Sequence, residues 1–248
     1  MLKSFCGGRI FGERLGSGQV DVVGLHGWAR SRDDLFASLA GLNAVIPDLP
    51  GFGVSPEPPA AWGSDEYADA IAELVSGLGK PQVLLGHSFG GRIAVKLAAR
   101  RPDLVAGMVL TGVPQLLRLP SAGSRPPAAF LAARWAHRRG LISAERMEKL
   151  RNKYGSADYR NANGVMRSVL VRLVNESYED CLPQIKCPVE LIWGEKDTAA
   201  PLRLAQEACG MIQDCRLTVL DDLGHMTPLS APQQLGDAVR RLLQAGTR

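Results

Sequence analysis

Gln82-Val83-Leu84-Leu85-Gly86-His87-Ser88-Phe89-Gly90-Gly91-Arg92-Ile93-Ala94 is the stretch on which the fold turns. Val83-Leu84-Leu85 is an apolar run ending in glycine, which suits a short buried strand. From Phe89 to Arg101 the spacing becomes helical. Ile93, Ala94, Leu97 and Ala98 share one face, and Pro102 lies beyond the end. Between strand and helix sits Gly86-His87-Ser88-Phe89-Gly90, a G-x-S-x-G. On a sharp strand-to-helix turn the serine hydroxyl projects from the backbone, and side chains at 86 or 90 would collide with neighbouring elements. The helix starting after Ser88 also points its N–H groups at the turn, where they favour a developing negative charge.

The same rhythm extends in both directions. Val20-Asp21-Val22-Val23-Gly24-Leu25-His26-Gly27 and Ala44-Val45-Ile46-Pro47 read as strands upstream. A helical pattern carrying Leu35, Phe36 and Leu39 lies between them, opened by Ser31. Tyr67, Ile71, Leu74, Val75 and Leu78 mark a further helix over 64–79, capped by Ser64 and ended by Gly79. Downstream, Met108-Val109-Leu110-Thr111-Gly112 is the next strand. Strands alternating with helices predict parallel βαβ units. The rhythm then stops. Residues 114–185 hold no convincing strand and open on a Pro/Gly/Ser-rich stretch over 119–127. It resumes at Val189-Glu190-Leu191-Ile192-Trp193-Gly194, followed by a helix near 201–212, a strand at 216–220 and a last helix near 231–244. The expected organisation is an α/β core made of residues 1–113 and 186–248, with 114–185 inserted after the sixth strand as a helical cap.

Composition narrows the function. The chain has 248 residues, 46% hydrophobic and 22% charged, as an ordinary globular protein has. No apolar run approaches the ~18 residues a membrane span requires, and no secretory leader is apparent. The net charge of +4 gives no case for nucleic acid. The five cysteines are odd in number and form no C-x-x-C pair, so reduced thiols, a cytoplasmic location and no zinc site are expected. No cofactor or metal motif occurs.

With the Gly90-Gly91 doublet included, the sequence resembles the α/β-hydrolase superfamily over nearly its whole length. The resemblance implies an α/β-hydrolase fold, a mostly parallel sheet flanked by helices, and serine hydrolase chemistry with no cofactor. Ser88 is then the nucleophile. The superfamily order of serine, acid, histidine implies His225 as base, in Leu223-Gly224-His225-Met226. It implies Asp197 as the acid that orients the base, in Gly194-Glu195-Lys196-Asp197; Glu195, Asp221 and Asp222 are competitors. His26-Gly27-Trp28 resembles the loop that supplies half of an oxyanion hole, implying the Trp28 and Phe89 amides as donors. His26 itself is expected to be structural, and His87 to pack beside the site. Serine in place of an aspartate nucleophile speaks against dehalogenase and epoxide hydrolase chemistry.

Within the superfamily, Trp28 together with Asp48-Leu49-Pro50-Gly51-Phe52-Gly53 resembles the pimeloyl-carrier-protein methyl ester esterases, small capped carboxylesterases. Those enzymes carry glycine after the tryptophan, where this chain has Ala29. Residues 115–186 hold 13 Arg/Lys against 6 Asp/Glu, a surplus of seven. That surplus suits an anionic acyl substrate or an acidic carrier protein, and equally a set of solvated helical faces. The reading is a hydrolase of carboxylic esters or thioesters working through an acyl-serine. Two alternatives stay open: a triad-bearing ligand sensor moving its lid, and a C–C bond hydrolase. Oligomeric state is not readable.

Overall fold

The computed structural model describes residues 2–117, 128–154 and 157–246. The Pro/Gly/Ser-rich stretch over 119–127, which includes Arg125, and Arg118 beside it lie outside the described residues. In chain order the elements are β1 (Leu2–Phe5), β2 (Ile10–Leu15), β3 (Val22–Leu25), β4 (Ala44–Asp48), α1 (Ser64–Ser76), β5 (Gln82–His87), α2 (Phe89–Arg100) and β6 (Val105–Thr111). Four helices follow: α3 (Ala128–Arg138), α4 (Ala144–Tyr154), α5 (Ala157–Asn161) and α6 (Gly164–Leu173). The chain closes with β7 (Val189–Gly194), α7 (Leu202–Cys209), β8 (Cys215–Leu220), α8 (Thr227–Ser230) and α9 (Pro232–Ala245).

The eight strands form one sheet in the order β1-β2-β4-β3-β5-β6-β7-β8. Strands β3 to β8 run parallel; β1 and β2 pair antiparallel at one edge. This is the mostly parallel, helix-flanked sheet expected from the sequence. Successive strand residues point to opposite faces, so a sheet covered on both sides needs nearly continuous apolar strands. Val23, Leu25, Leu84 and Leu110 pack on one face with Tyr67 and Ile71 of α1 and Ile93 and Leu97 of α2. Val22, Val83, Leu85 and Val109 pack on the other with Leu235, Val239 and Leu242 of α9.

Strand order places the site. From β3 the sheet grows first toward β4 and then, through β5, in the opposite direction. Crossovers on opposite sides leave a crevice at the carboxyl ends of β3 and β5, the usual binding position in open α/β sheets.

Several local expectations need correction. The antiparallel strands β1 and β2 have no counterpart among the strands expected from the sequence. β1 is exposed, and β2 alternates buried and partly exposed residues across a glycine, so neither presents the apolar run that marks the inner strands. Residues 32–39 do not form an α-helix; Arg32–Leu35 is a 3-10 turn. There Asp48 accepts the Arg32 amide at 2.9 Å and also pairs with its guanidinium, fixing the loop before a full helical turn develops. Glu66 rather than Ser64 caps α1, reaching back to the Gly63 N–H at 2.8 Å. The Ser64 hydroxyl instead meets that of Tyr178 at 2.6 Å. Not all five thiols are free: Cys209 and Cys215 form a disulfide between the end of α7 and the start of β8, while Cys6, Cys181 and Cys187 are unpaired. The pair is six positions apart in sequence, and the reversal from helix to strand brings the two together. Among the described residues no helix is long and apolar enough to cross a membrane, and no cluster of potential metal ligands occurs.

Candidate active site

The turn between β5 and α2 sets Ser88 at φ 51° and ψ −110°, outside the regions a side chain ordinarily tolerates. Such a conformation costs about 1–3 kcal/mol and survives only where its surroundings hold it. Two backbone bonds do so: the Ser88 N–H donates to Thr111 O at 3.0 Å, and the Gly90 N–H donates to His26 O at 3.0 Å. A Cβ at Gly90 would run into the Leu25 carbonyl. Glycine therefore lets α2 sit directly on β3.

Three loops at the carboxyl ends of β5, β7 and β8 bring Ser88, Asp197 and His225 together. His225 Nε2 lies 3.1 Å from Ser88 Oγ, and His225 Nδ1 lies 2.8 Å from Asp197 Oδ2. A carboxylate only accepts, so Nδ1 carries the proton and the Nε2 lone pair faces the hydroxyl. Asp197 is itself buried, and its other oxygen accepts the Ala199 and Ala200 amides at 2.9 and 2.8 Å. The competing carboxylates point elsewhere. Asp222 is exposed and pairs with Lys196 at 2.6 Å, Glu195 accepts the Asp222 amide at 3.3 Å, and Asp221 is exposed.

The other two histidines near the site are fixed in neutral forms. His26 is fully buried; its Nε2 accepts the Leu49 amide at 2.9 Å, so Nδ1 donates to Gly27 O at 2.7 Å. Burial pushes its pKa down. His87 is held down to about 4, by burial first and by the neighbouring His225 second. Its Nε2–H donates to His225 O at 3.0 Å, and the two rings lie 5.0 Å apart. His87 thus braces the loop that carries His225.

Trp28 and Phe89 frame the opening. Among the described residues the Trp28 amide has no recorded acceptor. Phe89 begins α2, where N–H groups have no acceptor within the helix. Phe52 of the Asp48–Gly53 loop packs against Trp28 at 4.9 Å and Phe89 at 6.1 Å, so that loop builds a wall. Asp48 clamps the same loop, accepting the Val54 amide at 3.0 Å. Ala29 adopts φ 53°, a left-handed conformation that is cheapest for glycine. The departure noted in the sequence therefore falls where the backbone makes glycine the easier residue.

Residues 22–238 match the model of the Alpha/beta hydrolase family. The chain belongs to this family. Among its relatives, Lipase LipV of Mycobacterium tuberculosis is 31% identical, the match covering 92% of this chain and 94% of that protein. A pimeloyl-[acyl-carrier protein] methyl ester esterase of Aromatoleum aromaticum is 29% identical over 86% of this chain and 94% of its own length. A thermophilic esterase from Thermogutta terrifontis superposes with a TM-score of 0.71 at 25% identity, covering 96% of this chain and 93% of that one.

In this α/β hydrolase a cavity of about 320 Å³ opens on Ser88 and His225. Trp28, Phe89, Pro114 and Ala199 line it from the sheet side, and Asp158, Leu170, Leu173 and Val174 from the helices between β6 and β7. Two lining or supporting residues escaped the sequence reading. Gly112, at φ 57°, lies under the Asp197–His225 pair; a Cβ there would sit 3.0 Å from the imidazole and 3.2 Å from Asp197 Oδ2. Its position after β6 was the available signal. Arg92 also lines the cavity, and its place four residues after Ser88 was the clue.

Proposed function

We propose that this chain is a serine hydrolase of carboxylic esters, with Ser88 as nucleophile, His225 as general base and Asp197 as the orienting acid. The reading rests on one observation: the relay from Ser88 Oγ to His225 Nε2 at 3.1 Å and from His225 Nδ1 to Asp197 at 2.8 Å, opening on a mostly apolar cavity. Ser88 attacks the ester carbonyl while His225 takes its proton. The Trp28 and Phe89 amides stabilise the oxyanion, each donor contributing about 3–4 kcal/mol to lowering the barrier. His225 then returns the proton to the departing alcohol, leaving an acyl-Ser88 that water hydrolyses by the same steps in reverse. A thiol leaving group would follow the same path. Relatives named as a lipase and as methyl ester esterases support the ester class.

Residues 114–185 act in this reading as a lid on a core of 1–113 and 186–248. Support comes from the cavity, whose wall is shared between the sheet loops and α5–α6. The cationic surplus of the lid favours an anionic substrate or an acyl group borne on an acidic carrier protein. The test is turnover of short p-nitrophenyl esters by the wild type and by Ser88→Ala. Multiple turnovers, reduced about 10⁶-fold in kcat by the substitution, are expected. Stoichiometric release without turnover would favour a ligand sensor. Activity of Ser88→Ala within tenfold of wild type would overturn the assignment.

A further inference from the structure

Arg92 is an unusual residue for the wall of an apolar cavity. It stands on α2 one helical turn after Ser88, on the same face of the helix, and side chains in a helix lean toward its N-terminus. Arg92 lines the cavity that Ser88 and His225 also line. The side chain is nine-tenths buried, at 9% exposure. Its anchors are few: Nη1 donates to Leu173 O at 3.3 Å, and the guanidinium lies 5.9 Å from the centre of the Tyr178 ring. Nε is buried with no acceptor. Five N–H donors in a planar fork are thus met by one carbonyl and by Tyr178, which leaves donors over.

Glu176 offsets this charge only in part. Glu176 is engaged with the Ser64 amide at 3.2 Å and the Tyr178 hydroxyl at 2.9 Å. Asp158, the one carboxylate among the cavity-lining residues, is exposed at the start of α5, where water screens it. Burial lowers the Arg92 pKa by more than Tyr178 and Glu176 raise it. Burying an arginine without full pairing is costly, and an incoming carboxylate would relieve the cost with a two-pronged, charge-assisted pair.

We infer that Arg92 is a specificity-determining residue that binds a carboxylate of the substrate, so that the preferred substrates are esters carrying a second, ionised carboxylate within a few bonds of the scissile carbonyl. This rests on the ester hydrolase reading above. The carboxylate reaches Arg92 from either the acyl or the alcohol portion of the ester, and the experiment separates the two.

Monoethyl succinate, glutarate and adipate carry the carboxylate on the acyl side, with ethyl butyrate, valerate and hexanoate as neutral counterparts. The acetate ester of 4-hydroxybutyrate carries it on the alcohol side, with butyl acetate as counterpart. The quantity read is the ratio of kcat/KM for an anionic ester to that of its neutral counterpart, in the wild type, Arg92→Gln and Arg92→Lys. In the wild type the ratio should exceed one for at least one series, and the series identifies the side. Arg92→Gln should lower that ratio about 10- to 100-fold, the range for losing a charged hydrogen-bonded pair. Arg92→Lys, which keeps charge but loses the fork, should fall between. A wild-type ratio at or below one in both series overturns the inference, as does a ratio that Arg92→Gln leaves unchanged. Should Arg92→Gln not fold, the wild-type ratios and the Lys variant decide. Calorimetric binding of the same esters to Ser88→Ala is read separately from turnover. Tight binding of the anionic ester that Arg92→Lys weakens supports the carboxylate site even where no ester is hydrolysed, in which case it is the ester hydrolase reading that fails.

Discussion

The strand-turn-helix around Ser88 and the helices α3 to α5 are held in different ways. All six residues of β5 and nine of the twelve in α2 are buried, whereas α3 and α5 bury none. Apolar side chains that pack in the first region stand in solvent in the second, as Leu131, Trp135 and Leu141 do. Among the described residues the insertion is tied to the rest by Met166, Val169, Leu170 and Leu173 of α6 and by Tyr178, Leu182 and Ile185 after it. The difference teaches where function can vary. In the proposed mechanism the reacting groups rest on sheet ends whose register and hydrogen bonds admit little movement, and the surface that substrate would meet first rests on helices whose residues can change with small effect on stability.

The comparison can be broken most sharply at Asp197. In the rigid region the exchange of a single oxygen for an NH2 group should be felt in full. Asp197→Asn keeps the shape but offers Nδ1 a donor in place of an acceptor, favouring the wrong tautomer of His225. We expect kcat to fall about 10⁴-fold with the fold unchanged by circular dichroism. A loss below tenfold would mean that the buried carboxylate is structural only.

A smaller effect tests the same region through pH. His87 has a pKa of about 4 in the folded chain against 6.5 for an ordinary histidine. Between those values the unfolded chain binds a proton that the folded chain excludes, so stability rises with pH across that window and is lost as pH falls from about 6.5 to about 4. The share due to His87 is about 3 kcal/mol, at 1.36 kcal/mol per pKa unit. His26 is shifted in the same direction and adds to the total. Urea unfolding between pH 7 and 4 should show the decline, and His87→Gln should flatten it in part. An unchanged slope in the variant would show that His87 is protonated at no cost.

The smallest effect on stability belongs to the other region. Arg134, Arg138 and Arg139 are exposed on and just beyond α3, with Arg139 over the Trp135 ring at 4.1 Å. Reversing all three to glutamate should change unfolding free energy by about 0.5 kcal/mol per site or less. If the lid attracts an acidic carrier, kcat/KM toward a carrier-borne ester should drop several-fold at low salt, and the difference should vanish near 1 M salt as screening shortens to about 3 Å. Equal behaviour of the variant and wild type at low salt would remove the carrier from the account.

Much of the inner sheet was legible because a strand buried on both faces must be continuously apolar. Val22–Leu25, Gln82–His87 and Val189–Gly194 all announce themselves in this way. The antiparallel strands β1 and β2 do not, since β1 is mostly exposed and β2 is only partly buried. Residues 32–39 carried helical spacing, yet a long-range clamp from Asp48 overrode it. The Cys209–Cys215 pair and the approach of Gly112 to His225 are likewise set by tertiary proximity, which spacing does not encode. At the site, the motif around Ser88 and the glycine-flanked His225 were readable because their chemistry demands particular local turns. Arg92 was not, because a cation at that position looks like any surface residue of a helix until the cavity beside it is seen.

The central claim is that one serine, activated through His225, performs the chemistry. Treatment with an organophosphonate p-nitrophenyl ester, followed by peptide mass spectrometry, tests it most directly. The account predicts one phosphonate per chain, on Ser88, and labelling slowed by at least 10³-fold in His225→Ala. Label on another residue, or labelling of Ser88 at the same rate without His225, would contradict it.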